Sequence, residues 1–188
     1  QQQQSSRKQD KSLQQEQSPR QQQQQSQRKA KPPPKPSVAV YGDSIVKFAS
    51  SKVICGGSSR VCAYPGATVA DVSAHALVEL NSKHRKRPDI AIIHAGSNDL
   101  GKGNSVDTIT DELALAVTQL RNVGLKNIAL SGVTVRAGLQ VEVDKLNKSI
   151  KEVCKNFQVS FIDNSNIKYK QHISHDTVHL NAKGIEIL

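Results

Sequence analysis

A hydroxyl, an imidazole and a carboxylate are the minimum set for drawing a proton off a nucleophilic serine, and this 188-residue sequence offers one of each in turn-forming contexts. In His175-Asp176-Thr177-Val178-His179, Asp176 precedes His179 by three residues. That is close enough for the carboxylate to hold one imidazole nitrogen while the other faces a serine. Such a carboxylate fixes the tautomer and stabilises the imidazolium that forms during attack, and histidine is the natural base for a hydroxyl at neutral pH. The candidate serine is Ser44, in Gly42-Asp43-Ser44-Ile45, which follows an apolar run and precedes a helical pattern. Gly-Asp-Ser is equally a good turn with Ser44 as a helix cap, so that motif alone decides nothing.

Two further stretches could hold a developing negative charge. Tyr64-Pro65-Gly66-Ala67 has a glycine, at which a backbone N–H can approach a substrate oxygen closely. Ala95-Gly96-Ser97-Asn98-Asp99 joins a glycine to an uncharged amide, and an asparagine amide donates to an oxyanion whatever the pH. Each stretch also reads as a plain turn, because Pro, Gly, Asn and Asp are turn formers.

These residues must be brought together by the elements between them. Strand-like runs at Ser37–Tyr41, Arg60–Tyr64, Asp89–His94, Asn127–Ser131 and Val159–Ile162 alternate with helical patterns. Most of the runs are apolar on both faces, as buried parallel strands are. Val69, Val72, Ala76, Leu77 and Leu80 recur at helical spacing, as do Ile109, Leu113, Ala116, Val117 and Leu120. A third helix is expected over about Val141–Phe157, through Val143, Leu146, Ile150 and Val153, and a last one from about Asn181, cut off by the end of the chain. This alternation predicts an α/β fold with a five-stranded parallel sheet covered by helices on both faces. Such sheets bind ligands at the carboxyl ends of their strands, where each candidate stretch falls.

Taken in order, Gly42-Asp43-Ser44-Ile45, Gly66, Gly96-Ser97-Asn98-Asp99 and Asp176-x-x-His179 resemble the four signature blocks of the SGNH (GDSL-like) hydrolases. The resemblance covers Ser37 to Leu188. It implies a flavodoxin-like three-layer α/β/α fold and a serine esterase acting on carboxylic esters, lipid acyl or acetyl. It also implies Ser44, His179 and Asp176 as a triad, an oxyanion hole from the Ser44 and Gly66 backbone N–H groups and the Asn98 amide, and no metal or organic cofactor. Two positions depart from the family pattern: Thr177 stands where many members have glycine, and Ile45 where many have leucine. The compact spacing, Phe161-Ile-Asp-Asn164 and the His-Leu-Asn ending are similar to the esterase-like domains in first-frame proteins of some LINE-type retrotransposons.

Charge and composition divide the chain in two. Of the net charge of +10, residues 1–36 contribute +6, from eight Lys/Arg and two Asp/Glu. That segment, rich in Gln and closed by a Pro-rich spacer, has no aromatic or β-branched residue and is expected to be a disordered tail. Residues 37–188 form the expected domain, whose own excess of +4 is that of an ordinary surface. The tail is where nucleic acid or an acidic partner would bind. No run approaches a membrane span and no signal peptide is visible, which points to an intracellular protein, though the start without Met marks the chain as a fragment. The oligomeric state is not legible. Cys55, Cys62 and Cys154 are too few and too irregular for a disulfide framework or a zinc knuckle and are read as reduced thiols.

Competing readings of single residues remain. His172, His175 and His179 include the i, i+4 spacing of helical zinc ligands but lack a carboxylate or thiolate partner. Asp43 and Asp99 read as turn-stabilising acceptors, Asp163 and Asn164 as anchors of a loop, and His94 as a buried histidine on the floor of the site. His75 and His84 read as surface residues, and Lys83–Arg87 as a solvated helix end or a phosphate contact. The same domain could also be a silent binding module that keeps the shape of the site, or a nucleic-acid-associated part of a transposon protein.

Overall fold

The computed structural model describes residues 35–49 and 59–188. The expected disordered tail, up to residue 34, and Cys55 lie outside them. Five strands, β1 (Val38–Gly42), β2 (Ser59–Ala63), β3 (Ile90–His94), β4 (Asn127–Ser131) and β5 (Ser160–Ile162), form one parallel sheet in the order β2-β1-β3-β4-β5. A 3-10 helix covers Ser44–Phe48. The α-helices are α1 (Val69–Leu80), α2 (Ser97–Gly101), α3 (Val106–Asn122), α4 (Gln140–Phe157), α5 (Tyr169–His172) and α6 (Ala182–Ile187). The flavodoxin-like α/β expectation holds, with all strand pairs parallel.

Alternation along β1 sends Ala39 and Tyr41 to one face and Val38 and Val40 to the other. The first face carries the main core. Val69, Val72 and Ala76 of α1, Ile109, Leu113 and Leu120 of α3, and Leu146 and Ile150 of α4 are all buried there. Each Val, Leu or Ile side chain among them, fully withdrawn from water, contributes about 1.5–3 kcal/mol. The second face is clad more thinly. Among the described residues it is met by Val46 of the 3-10 helix and by Leu188 at the end of the chain. An apolar groove of about 470 Å³, lined by Val40, Val46, Ile92, Ile185 and Leu188 among others, runs along it. No helix of the described residues is long and apolar enough to cross a membrane.

Local chemistry sets the helix ends. Thr68 and Asp71 form a reciprocal capping box on α1, and Ser105 caps α3 through the Thr108 N–H. Two of the plain alternative readings are not what the structure holds: Ser97–Gly101 winds into a helical turn, and Ser44 is the first residue of its 3-10 helix, not the cap. The cap is Asp43, whose Oδ1 accepts the Ile45 N–H at 2.9 Å. Asp43 therefore supplies the turn chemistry, and the Ser44 hydroxyl stays free for another partner.

Candidate active site

Strand register brings the first three stretches to one edge. Gly42 pairs with Ala63 of β2 on one side and with His94 of β3 on the other, so the chain leaves all three strands at the same height. The approach at Gly42 is tight: a Cβ there would lie 2.7 Å from the His94 carbonyl oxygen and 2.9 Å from a Val46 methyl, so only glycine fits. Asp43 then closes the turn, its N–H donating to the same His94 oxygen at 3.2 Å.

Ser44 meets His179 across 135 residues of sequence, with Ser44 Oγ 2.8 Å from His179 Nε2. On the far side of the ring, Nδ1 lies 2.7 Å from Asp176 Oδ2. An ionised carboxylate only accepts, which assigns the ring proton to Nδ1 and leaves Nε2 to accept from the serine hydroxyl. The other carboxylate oxygen, Asp176 Oδ1, accepts the backbone N–H groups of His179 (2.9 Å) and Val178 (3.0 Å) and the Ser174 hydroxyl (3.0 Å). Those backbone donors, the His179 N–H first, hold the Asp176 carboxyl well below the usual carboxylate range, although its side chain is half exposed. Ser174 was not singled out in the sequence; a serine two residues before an aspartate in a turn is the only signal it carries.

The loop that holds this pair is a turn, not a helix. An antiparallel bridge between Ile173 and Leu180 closes it, and the N–H of Ser174 donates to the His179 carbonyl at 2.7 Å. The i, i+4 spacing of His175 and His179 therefore does not describe a helix face, and both ring nitrogens of His179 are already engaged. Thr177 sits at φ 68°, a left-handed conformation in which a β-branched residue is strained. This is the position where the family pattern favours glycine.

The remaining two stretches follow β2 and β3, whose ends are in register with that of β1. Gly66 has φ 77° and no atom within 4 Å of a would-be Cβ, so its glycine serves conformation rather than space. The backbone N–H groups of Ser44 and Gly66 have no acceptor among the described residues. One Asn98 amide hydrogen goes to the Ala67 carbonyl at 3.0 Å, which ties the asparagine to the Gly66 turn and leaves its second hydrogen available.

Beneath this edge lies a buried polar layer. His94 is fully buried with Nδ1 2.9 Å from Ser131 Oγ, and burial pushes its pKa down, so it is neutral at physiological pH. The Asn164 amide donates to that same Ser131 hydroxyl at 2.9 Å and to the Gly132 carbonyl at 2.6 Å, anchoring the loop after β5. Asp163 accepts the Ser165 N–H at 2.9 Å. Asp99 is buried and its pKa is raised by that burial. It reaches beyond its own turn to accept the Val69 N–H at the start of α1. Asp43 Oδ2 is buried without a partner among the described residues.

Outside the site, His75 is exposed but stacks on Tyr64 with ring centroids 4.1 Å apart. Arg85, from the basic run, pairs with Glu79. The apolar groove on the second sheet face is lined by none of Ser44, Gly66, Asn98, Asp176 and His179.

Ser44, His179 and Asp176 thus stand in hydrogen-bonded series beside a five-stranded parallel α/β sheet. The chain belongs to the GDSL-like lipase/acylhydrolase family, a family of ester hydrolases, whose model matches residues 40–187. Its fold is similar to that of a lipolytic protein of the G-D-S-L family from Veillonella parvula, with 16% identity over 80% of this chain and 92% of the other, at a TM-score of 0.66. A GDSL-like lipase from Bacteroides thetaiotaomicron is similar at a TM-score of 0.67, with 15% identity over 80% and 82% of the two chains. Axe2, an acetylxylan esterase from Geobacillus stearothermophilus, shares 16% identity over 81% and 90%, at a TM-score of 0.63. No curated protein matches the sequence significantly.

Proposed function

We propose that the protein is a serine esterase that hydrolyses carboxylic esters, lipid acyl or acetyl, through an acyl-enzyme. The observation that carries this reading is the unbroken series from Ser44 Oγ through the His179 ring to Asp176, with contacts of 2.8 and 2.7 Å. Ser44 attacks the ester carbonyl while His179 Nε2 takes its proton, and Asp176 steadies the imidazolium. The carbonyl oxygen, now negative, is met by the Ser44 and Gly66 N–H groups and by the second Asn98 amide hydrogen. The tetrahedral species collapses as His179 returns the proton to the leaving alcohol. Water, activated by the same nitrogen, then releases the acid and restores the serine. No step requires a metal or organic cofactor.

Acetylxylan as the substrate of one structural relative supports a small acyl group, and the lipase relatives support a longer one. The decisive comparison is turnover of a short-chain p-nitrophenyl ester by the wild type and by Ser44→Ala. The account expects hydrolysis by the first and none by the second, with the two circular dichroism spectra superimposed. Equal rates would remove Ser44 from the mechanism, and a folded wild type that turns over no ester would favour a silent binding module.

The +6 carried by residues 1–36 supports a second, additive reading in which the tail binds nucleic acid or an acidic partner. Its test is salt-dependent RNA binding that disappears when residues 1–36 are deleted. Binding that survives the deletion would contradict it.

A further inference from the structure

Arg136 has no part in the esterase mechanism, yet it is held beside it. It lies in the loop between β4 and α4, half-buried, and its Nη1 donates to the Ser97 carbonyl at 2.7 Å. The same nitrogen stands 3.4 Å from Ser97 Oγ. A Cβ on Gly101 would come within 2.9 Å of Cζ and both terminal nitrogens, so the guanidinium fills the space that this glycine leaves open along α2. The next residue, Ala137, donates its N–H to the Thr177 carbonyl at 3.4 Å. The Arg136–Ala137 segment therefore bridges the stretch that carries Asn98 and the loop that carries Asp176 and His179.

The guanidinium has five N–H donors in a rigid fork, and only the Nη1 edge is committed. No Asp or Glu of the described residues lies within 4.0 Å of it, whereas Arg60 and Arg85 both pair with Glu79. Nε and Nη2 have no acceptor among the described residues. An arginine anchored through Nη1, with no carboxylate of its own and with Nε and Nη2 unpaired among the described residues, has the donors to take a planar anion in two parallel hydrogen bonds. Position says which part of a substrate would bring one. His179 must hand its proton to the departing oxygen, so the alcohol leaves along the His179 loop, the loop to which the Arg136 segment is hydrogen-bonded.

We infer that Arg136 is a specificity-determining residue that favours esters whose alcohol part carries a carboxylate. This rests on the serine-esterase reading. The probes are 4-acetoxybenzoate, which is anionic, and its neutral methyl ester, each losing acetate as water adds to the acetyl carbon and a proton goes to the phenolic oxygen. The quantity read is the ratio of kcat/KM for the anionic over the neutral ester in the full chain. Arg136→Gln lowers that ratio about tenfold, mainly through KM of the anionic ester, as loss of a charge-assisted pair at a half-exposed site should. Arg136→Lys keeps part of it. Rising salt lowers the ratio in the wild type and leaves it flat in Arg136→Gln. A ratio unchanged by Arg136→Gln, or both esters falling together, would overturn the assignment; the latter would make Arg136 a support for Ser97.

If the wild type cleaves neither ester, the esterase reading fails while the anion subsite is still read by binding. Chemical-shift changes with unhydrolysed 4-acetoxybenzoate on Ser44→Ala, lost in Ser44→Ala/Arg136→Gln, would sustain it. Equal binding or no binding would overturn it.

Discussion

Two histidines, His94 and His179, lie near the same edge of the sheet in opposite environments, and the proposed mechanism gives them opposite roles. His94 ends β3, is fully buried, and is tied to Ser131 and through it to Asn164. Burial drives its pKa down, so it stays neutral and its hydrogen bonds fix the floor. His179 stands in a loop with its side chain 42% exposed, between a hydroxyl and an ionised carboxylate. In the proposed mechanism, a base that takes and returns a proton in each cycle needs this second environment, where solvent and a fixed carboxylate share the cost of the charged form. The floor is buried and hydrogen-bonded within itself, whereas the loop is partly exposed.

The sharpest way to break the comparison is to remove each imidazole in turn. His179→Ala should lower ester turnover on the order of a thousandfold or more while the thermal midpoint stays within a few degrees. A loss below tenfold would dissolve the functional half of the contrast. His94→Ala should do the reverse. It opens a cavity in the buried layer and leaves Ser131 short of a partner, a cost of about 2–4 kcal/mol in a chemical-denaturation experiment, with rate per folded molecule far less affected than in His179→Ala. Unchanged stability would mean that His94 is not the structural member of the pair.

The smallest expected effect sharpens the loop itself. Thr177 at φ 68° stores strain on the order of 1–2 kcal/mol, and Thr177→Gly relieves it while adding roughly 0.5–1 kcal/mol of unfolded-state entropy. The balance predicts a stabilisation near 1 kcal/mol, visible as a rise of a few degrees in the melting midpoint. A fall would show that the Thr177 side chain holds the loop rather than straining it.

Much of this contrast is legible in the sequence. The apolar runs fixed five parallel strands, and hence that Ser44, Gly66 and Asn98 must share an edge, because strand ends in register leave the sheet together. Asp176 and His179 were legible from a spacing of three. What pattern could not supply was side-chain partnership without periodicity. Ser174 and Arg136 sit in loops where neither polarity nor spacing marks them. Asp99 reads as an acceptor for backbone N–H groups and is one, but that its partner is the Val69 N–H at the start of α1, thirty residues away, is not marked by any spacing. Gly96-Ser97-Asn98-Asp99 carried turn residues but wound into α2, whose Gly96 carbonyl accepts the Leu100 N–H at 3.1 Å. Tertiary packing decides such short segments, and propensity is weak over five residues.

The central claim is that Ser44 is a nucleophile activated by His179. Treating the folded protein with a fluorophosphonate probe and locating the adduct by mass spectrometry tests it most directly, because the probe reports an activated serine without any guess at the acyl or alcohol group. The account predicts one adduct, on Ser44, abolished in His179→Ala. An adduct on another serine, or no adduct on folded protein, would contradict it.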